Sequence, residues 1–156
     1  LQTVAKLIEG GLPTNVYNVA YGGFDTHANQ SGQHQNLMGG FGDALSAFMK
    51  DIKARGIEER VLILCFSEFG RRPRENASGG TDHGTAGPMF LIGNAAKPGT
   101  HGRYPSLTDL DNNKDLKHTV DFRAVYAEVL NKWFHADAAK LLGRTFNSLD
   151  LIRPLA

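Results

Sequence analysis

Apolar residues recur at helical spacing in several stretches of the chain, and the runs between them read as strands, turns and loops. Leu1, Val4, Leu7 and Ile8 share one face, ended by Gly10 and Gly11, so the chain opens within a helix. Leu37, Phe41, Leu45, Phe48 and Ile52 recur every three or four positions between His34 and Arg55. That spacing predicts an amphipathic helix, weakened by Gly39, Gly40 and Gly42 and stopped by Gly56. Phe122, Val125, Tyr126, Val129, Leu130 and Trp133 form a further stripe from about Thr119 to Phe134, with Asp121 suited to the positive helix end. A short helix, Asp137 to Leu142, closes at Gly143.

Between the helices, Val16 to Tyr21 is rich in β-formers and predicts a strand running into Gly22-Gly23-Phe24-Asp25-Thr26-His27. Val61 to Phe66 is a continuous apolar run, as expected of a strand covered on both faces, and Ser67-Glu68-Phe69-Gly70 follows it. Met89 to Ile92 reads as another strand. Arg71 to Gly87 is loop by composition, holding Pro73, Asn76, Ser78 and several glycines. Gly93 to Lys117 is mostly loop, with a turn at Asp111-Asn112-Asn113. Strand, helix, strand in this order predicts a right-handed βαβ unit, and so an α/β fold with a mixed sheet and flanking helices. Ligands in such sheets sit beyond the carboxyl ends of the strands, where Asp25, His27 and Glu68 fall.

Composition narrows the function classes. A chain of 156 residues, 41% hydrophobic and 21% charged, suits one domain with its own core, and no run approaches the ~20 apolar residues of a membrane span. Seventeen basic against sixteen acidic residues leave a formal charge of +1, which gives no general footprint for nucleic acid. Cys65, the single cysteine, lies inside an apolar run and reads as a small hydrophobe rather than a nucleophile. There is no Gly-x-Ser-x-Gly elbow, His-Glu-x-x-His, phosphate loop or dinucleotide fingerprint. Serine hydrolases, zincins, NTPases and Rossmann dehydrogenases are therefore disfavoured.

The candidate chemistry is metal-ligating. Asp25 and His27 point the same way if their segment is extended, because side chains alternate with period two. A carboxylate beside an imidazole suits Zn, Mn or Fe, with Zn or Mn the expected divalent metal. Thr81-Asp82-His83-Gly84 adds Asp82 and His83, and Glu68 directly after a strand is a third source of ligand. Arg71 and Arg72, with Arg74, match the oxygens of a phosphate or sulfate. His34, near a helix start, could join the site, whereas His101, His118 and His135 are uninformative.

The phrases Gly23-Phe24-Asp25-Thr26-His27-Ala28-Asn29-Gln30, Phe66-Ser67-Glu68-Phe69-Gly70-Arg71, Gly80-Thr81-Asp82-His83-Gly84-Thr85-Ala86-Gly87-Pro88 and Thr119-Val120-Asp121-Phe122-Arg123 together resemble one bacterial family, domain of unknown function 1501. The resemblance implies kinship with the alkaline phosphatase and sulfatase superfamily, members more than twice this length, and frequent export to the periplasm by a twin-arginine signal. Residues 1–156 are then expected to be the C-terminal part of a longer alkaline phosphatase-like domain. In that superfamily two metals lie at the carboxyl edge of a mixed sheet, and a Ser, Thr or modified Cys from the N-terminal part attacks the ester.

By the resemblance, Asp25 and His27 look like the pair on the first metal, and His83 like the late histidine that completes it. Ser67-Glu68-Phe69-Gly70 stands where relatives have Asp-His-Gly for a second metal, and Phe69 departs from that pattern. A rival alignment makes Asp82-His83-Gly84 the second-metal motif. The implied function is metal-dependent hydrolysis of a small anionic phosphate or sulfate ester, incomplete in this chain. The alternative is a non-catalytic metal- or anion-binding module of an exported complex. Loss of the N-terminal part would bare a sheet edge, so self-association is also expected.

Overall fold

The computed structural model describes residues 1–154. In chain order these form α1 (Gln2–Glu9), α2 (Gln30–Ala54), a 3-10 turn (Glu58–Arg60), β1 (Ile63–Cys65), β2 (Gly70–Glu75), β3 (Thr81–Gly84), β4 (Phe90–Ile92), β5 (Leu110–Asp111), β6 (Asp115–Leu116), α3 (Phe122–Lys132) and α4 (Ala138–Leu142). The coarse expectation of helices combined with a β component holds. In place of one mixed sheet, however, the strands pair off as β1 with β4, β2 with β3 and β5 with β6. None of the helices described is long and apolar enough to cross a membrane. The chain divides into two units, Leu1–Val61 with Arg74–Asp82, and Leu62–Pro73 with the residues from His83 onward. The division cuts the β2–β3 hairpin, passing between Asp82 and His83.

The first unit is organised by α2. Its predicted stripe turns inward: Phe48 and Ile52 are buried, and Leu37, Phe41 and Leu45 partly so. Ile52 is fully buried, a side chain whose removal from water stabilises by roughly 1.5–3 kcal/mol. Helix α1 packs against α2 and buries Ala5. At the far end of α2, Arg55 pairs with Asp51 at 2.8 Å and also with Glu9 at the end of α1. The chain then folds back through buried Ile57, whose N–H donates to the Ile52 carbonyl at 3.0 Å.

Val16 to Tyr21, expected as a strand, forms no regular element. Strand propensity measures fit to a half-buried pleated surface, and here the β-branched residues stay in water: Val16 is 68% and Val19 53% exposed. Without that strand there is no βαβ unit. β1 pairs instead with β4, antiparallel, with Ile63 opposite Ile92, Leu64 opposite Leu91 and Cys65 opposite Phe90.

In the second unit, the β1–β4 pair and α3 build a core around Ala95, Val125, Leu151 and Ile152, with Leu64, Leu91, Val129 and Trp133 packed against it. The strand is shorter than the apolar run and is not covered on both faces, since β1 is only half-buried and Phe66 is 60% exposed. Cys65 is also half-buried, and that burial pushes its thiol pKa up. Asp121 caps α3 by accepting from the Arg123 N–H at 2.9 Å, and Asp137 caps α4 by accepting from that of Lys140 at 3.0 Å. The chain end is tied down by Lys97 N–H to the Leu151 carbonyl and Arg153 N–H to that of Ala95, both at 2.8 Å.

Arg71 to Gly87, expected as loop, is mainly the β2–β3 hairpin. Its glycines mark close backbone approach rather than flexibility. A Cβ on Gly84 would lie 2.6 Å from the Arg71 carbonyl carbon, and one on Gly80 2.4 Å from that of His27. Pro73 is tolerated because a two-stranded sheet consists of edges. Within the expected Gly93 to Lys117 loop, β5 and β6 flank the predicted turn, where Asn112 and Asn113 take left-handed φ of 48° and 55°.

Candidate metal centre

The segment entering α2 forms no regular element and turns tightly at Asp25, where the Thr26 N–H donates to the Phe24 carbonyl at 2.9 Å, yet its burial still alternates. Thr26 is buried, while Asp25 and His27 face outward. His27 Nε2 lies 2.9 Å from Asp25 Oδ1, so the two side chains meet. Thr26 is held from within by Gln30, whose side-chain amide donates to the Thr26 hydroxyl at 2.9 Å and to its carbonyl at 3.1 Å. Gln30 Oε1 in turn accepts from the Thr81 hydroxyl at 2.9 Å.

The hairpin tip closes on the same segment. The N–H groups of Asn29 and Gln30 donate to the carbonyls of Ser78 and Gly79 at 3.0 and 2.9 Å, satisfying donors that a helix start leaves open. Asn76 is the hub of the tip. Its Oδ1 accepts from the N–H groups of Ser78 at 2.9 Å and Gly80 at 3.1 Å. Its Nδ2 reaches the His27 carbonyl at 3.0 Å and Asp82 Oδ1 at 3.2 Å. Asp82 Oδ1 stands 3.8 Å from His27 Nδ1, so this imidazole has a carboxylate on either side.

Asp25, His27 and His83 each offer one ligand atom, and these atoms all lie within 4.8 Å of one another. Two ligand atoms on a tetrahedral Zn at ~2.1 Å are roughly 3.4 Å apart. The Asp25–His27 pair, at 2.9 Å, stands closer than this, and both side chains are exposed. One carboxylate oxygen and two imidazole nitrogens form the mixed N/O set that Zn and Mn accept, so the residues fit a divalent metal. Three such ligands leave a coordination position open.

The other expected residues fall elsewhere. Glu68 is exposed and is not part of the group of three, nor is Asp82. His34 packs edge-on against Phe24, ring centroids 5.9 Å apart. Arg72 donates to Asp115 at 3.1 Å, and the Arg71 guanidinium lies over the Phe69 ring, 5.0 Å from its centroid. Phe69 also stacks on His83, with centroids 3.7 Å apart and planes 11° from parallel. Thus the residue that departs from the expected motif lies flat on one of the candidate ligands. Sequence reasoning passed over the roles of Asn76, Gln30 and Phe69. For Asn76 a signal exists, since Asn-Ala-Ser-Gly-Gly is turn chemistry in which the Asn side chain bonds the backbone two residues on.

The family model described as "Protein of unknown function (DUF1501)" matches residues 5–146. No curated protein and no solved structure matches the chain.

Proposed function

As the chain belongs to the DUF1501 family, we propose that it carries the metal-binding part of a hydrolase of phosphate or sulfate esters, of the alkaline phosphatase and sulfatase type. The observation that supports this reading is the grouping of Asp25, His27 and His83 within 4.8 Å. A divalent metal held there would supply Lewis-acid polarisation of an ester oxygen. The chain's own residues set the stage for it. Asn76 and Gly80 fix the backbone of His27, Phe69 fixes the face of His83, and Arg71, beside Phe69, is the cation proposed to steady the anionic ester. In this reading residues 1–156 are the C-terminal part of a longer, exported alkaline phosphatase-like domain, and the nucleophile comes from outside them.

Calorimetric titration with Zn or Mn tests the centre. One equivalent should bind, and Asp25→Asn, His27→Ala and His83→Ala should each weaken it by at least about tenfold. Absence of binding to the wild-type chain refutes the reading. The isolated chain should turn over aryl phosphate or sulfate slowly at best, and robust turnover abolished by Ser67→Ala would move the nucleophile into this chain. One observation favours a second reading, a binding module without catalysis: Phe69, which the resemblance aligns with a second-metal histidine of that superfamily, stacks on His83. Metal binding without turnover in the longer protein would select that alternative.

A further inference from the structure

We infer that Asp82 is the positioning carboxylate of this centre, receiving the Nδ1–H of His27 so that Nε2 is the nitrogen turned, with Asp25, toward a cation. The inference rests on the metal-centre reading above and assigns Asp82 a role different from that of a ligand. The two nitrogens of an imidazole point apart and cannot serve the same ion. In His27 they are already differentiated. Nε2 is 2.9 Å from Asp25 Oδ1, and Nδ1 faces Asp82 Oδ1 at 3.8 Å.

The frame around Asp82 is what makes the assignment specific. The oxygen that faces Nδ1 is the one that accepts from Asn76 Nδ2 at 3.2 Å, and the same Nδ2 donates to the His27 carbonyl at 3.0 Å. One amide nitrogen therefore ties the His27 backbone to the carboxylate facing the His27 ring. Turning the ring over would set Cδ2 in place of Nδ1 beside Asp82 and lose this facing pair. A modest swing of either exposed side chain closes 3.8 Å to hydrogen-bond distance. With Nε2 directed to a metal, the single proton of the neutral ring would sit on Nδ1, where Asp82 could hold it. Such an outer carboxylate fixes both the tautomer and the orientation of a ligating histidine, and its loss typically lowers metal affinity by about 10–100-fold.

The test uses Zn²⁺ alone, with the ring nitrogens of His27 followed by long-range ¹H–¹⁵N correlation. In the Zn-bound wild-type chain, Nδ1 should be protonated and Nε2 metal-bound. Asp82→Ala should weaken Zn binding by about 10–100-fold, whereas Asp82→Asn, which keeps an acceptor oxygen, should stay within a few-fold of wild type. Metal on Nδ1 overturns the inference, as does wild-type affinity in Asp82→Ala. A loss in Asp82→Asn as large as in Asp25→Asn also overturns it, by making Asp82 a ligand. The ring assignment needs no variant and so survives a misfolded Asp82→Ala. If wild type binds no Zn, the parent reading falls and takes this one with it; if it binds with the other nitrogen, only this one falls.

Discussion

The side-chain amide of Asn76 donates to the main-chain oxygen of His27 at 3.0 Å, joining the tip of a hairpin to the residue that opens the candidate centre. Because the same side chain also accepts from Ser78 and Gly80, its loss would remove the turn and the tether together. Asn76→Ala should lower the thermal midpoint and reduce Zn affinity by about tenfold. Differential scanning fluorimetry and calorimetry would check this, and unchanged affinity would show that the tether does not place His27.

Gly80 carries a sharper contrast. A Cβ there would meet the His27 carbonyl carbon and oxygen at 2.4 Å and the Ala28 nitrogen at 2.9 Å, all backbone atoms that cannot step aside. Gly80→Ala should destabilise by about 1–3 kcal/mol. On α2, a Cβ at Gly39 or Gly42 would meet nothing within 4 Å, so Gly39→Ala and Gly42→Ala should stabilise by about 0.5–1 kcal/mol. Urea denaturation of the variants gives opposite signs if this holds, and equal signs if Gly80 is merely a flexible turn residue.

Phe69 lies flat on His83. Phe69→Leu preserves much of the volume but removes the ring face, freeing the imidazole to rotate. Zn affinity should fall several-fold while the urea midpoint moves little, since Phe69 is only partly buried. A midpoint that drops in step with affinity would make Phe69 a packing residue instead.

These residues show where the sequence was legible. The stripe from Leu37 to Ile52 set the buried face of α2 because helical periodicity needs no tertiary partner to be seen, whereas Asp25 and His27, expected to meet along an extended run, meet across a tight turn in which the Thr26 N–H donates to the Phe24 carbonyl. The β2–β3 hairpin was hidden, since Gly80 and Gly84 look the same in sequence whether they loosen a loop or admit a neighbouring backbone. Val16 to Tyr21 misled in the opposite direction: its β-branched residues satisfy a strand's local preference, but a strand also needs a ladder and a cover, which no local pattern records. Phe69 was read only as a missing histidine, because stacking depends on which ring arrives from the next strand.

Asp121 links the cap of α3 to pH. The Arg123 side chain, then its N–H, hold the Asp121 carboxyl down at about 2. An unfolded Asp titrates near ~3.9, so the folded state binds fewer protons between these values. Its stabilising contribution is complete above the unfolded value and is lost as pH falls from about 4 through about 2. Carbon-detected NMR titration should find the Asp121 midpoint well below that of other aspartates. Asp121→Asn, which keeps a capping oxygen, should preserve α3 but flatten the dependence in that window; an ordinary midpoint would remove the argument.

Glu128 offers the strongest stability test, because it is a carboxylate only 3% exposed. It accepts from Ser148 Oγ at 2.9 Å, Leu149 N–H at 3.3 Å and Leu151 N–H at 3.0 Å, and pairs with Lys132 at 2.6 Å. Burial alone would raise its pKa, but Lys132, Ser148 and the Leu151 N–H together hold it below the ordinary value. The side chain thus clips residues 148–151 onto α3. Glu128→Ala would leave the Leu151 N–H and the Lys132 ammonium without this partner, at a cost of about 3–5 kcal/mol. Glu128→Gln keeps one acceptor oxygen and should cost less, about 1–3 kcal/mol. The depressed folded pKa means that the wild-type advantage is present above the unfolded glutamate value of ~4.3 and lost as pH falls through the folded value. Urea melts of wild type and Glu128→Gln should therefore differ clearly at pH 7 and converge once the pH has fallen below the folded value. Equal stability at pH 7 would show that the buried carboxylate serves no more than an amide would.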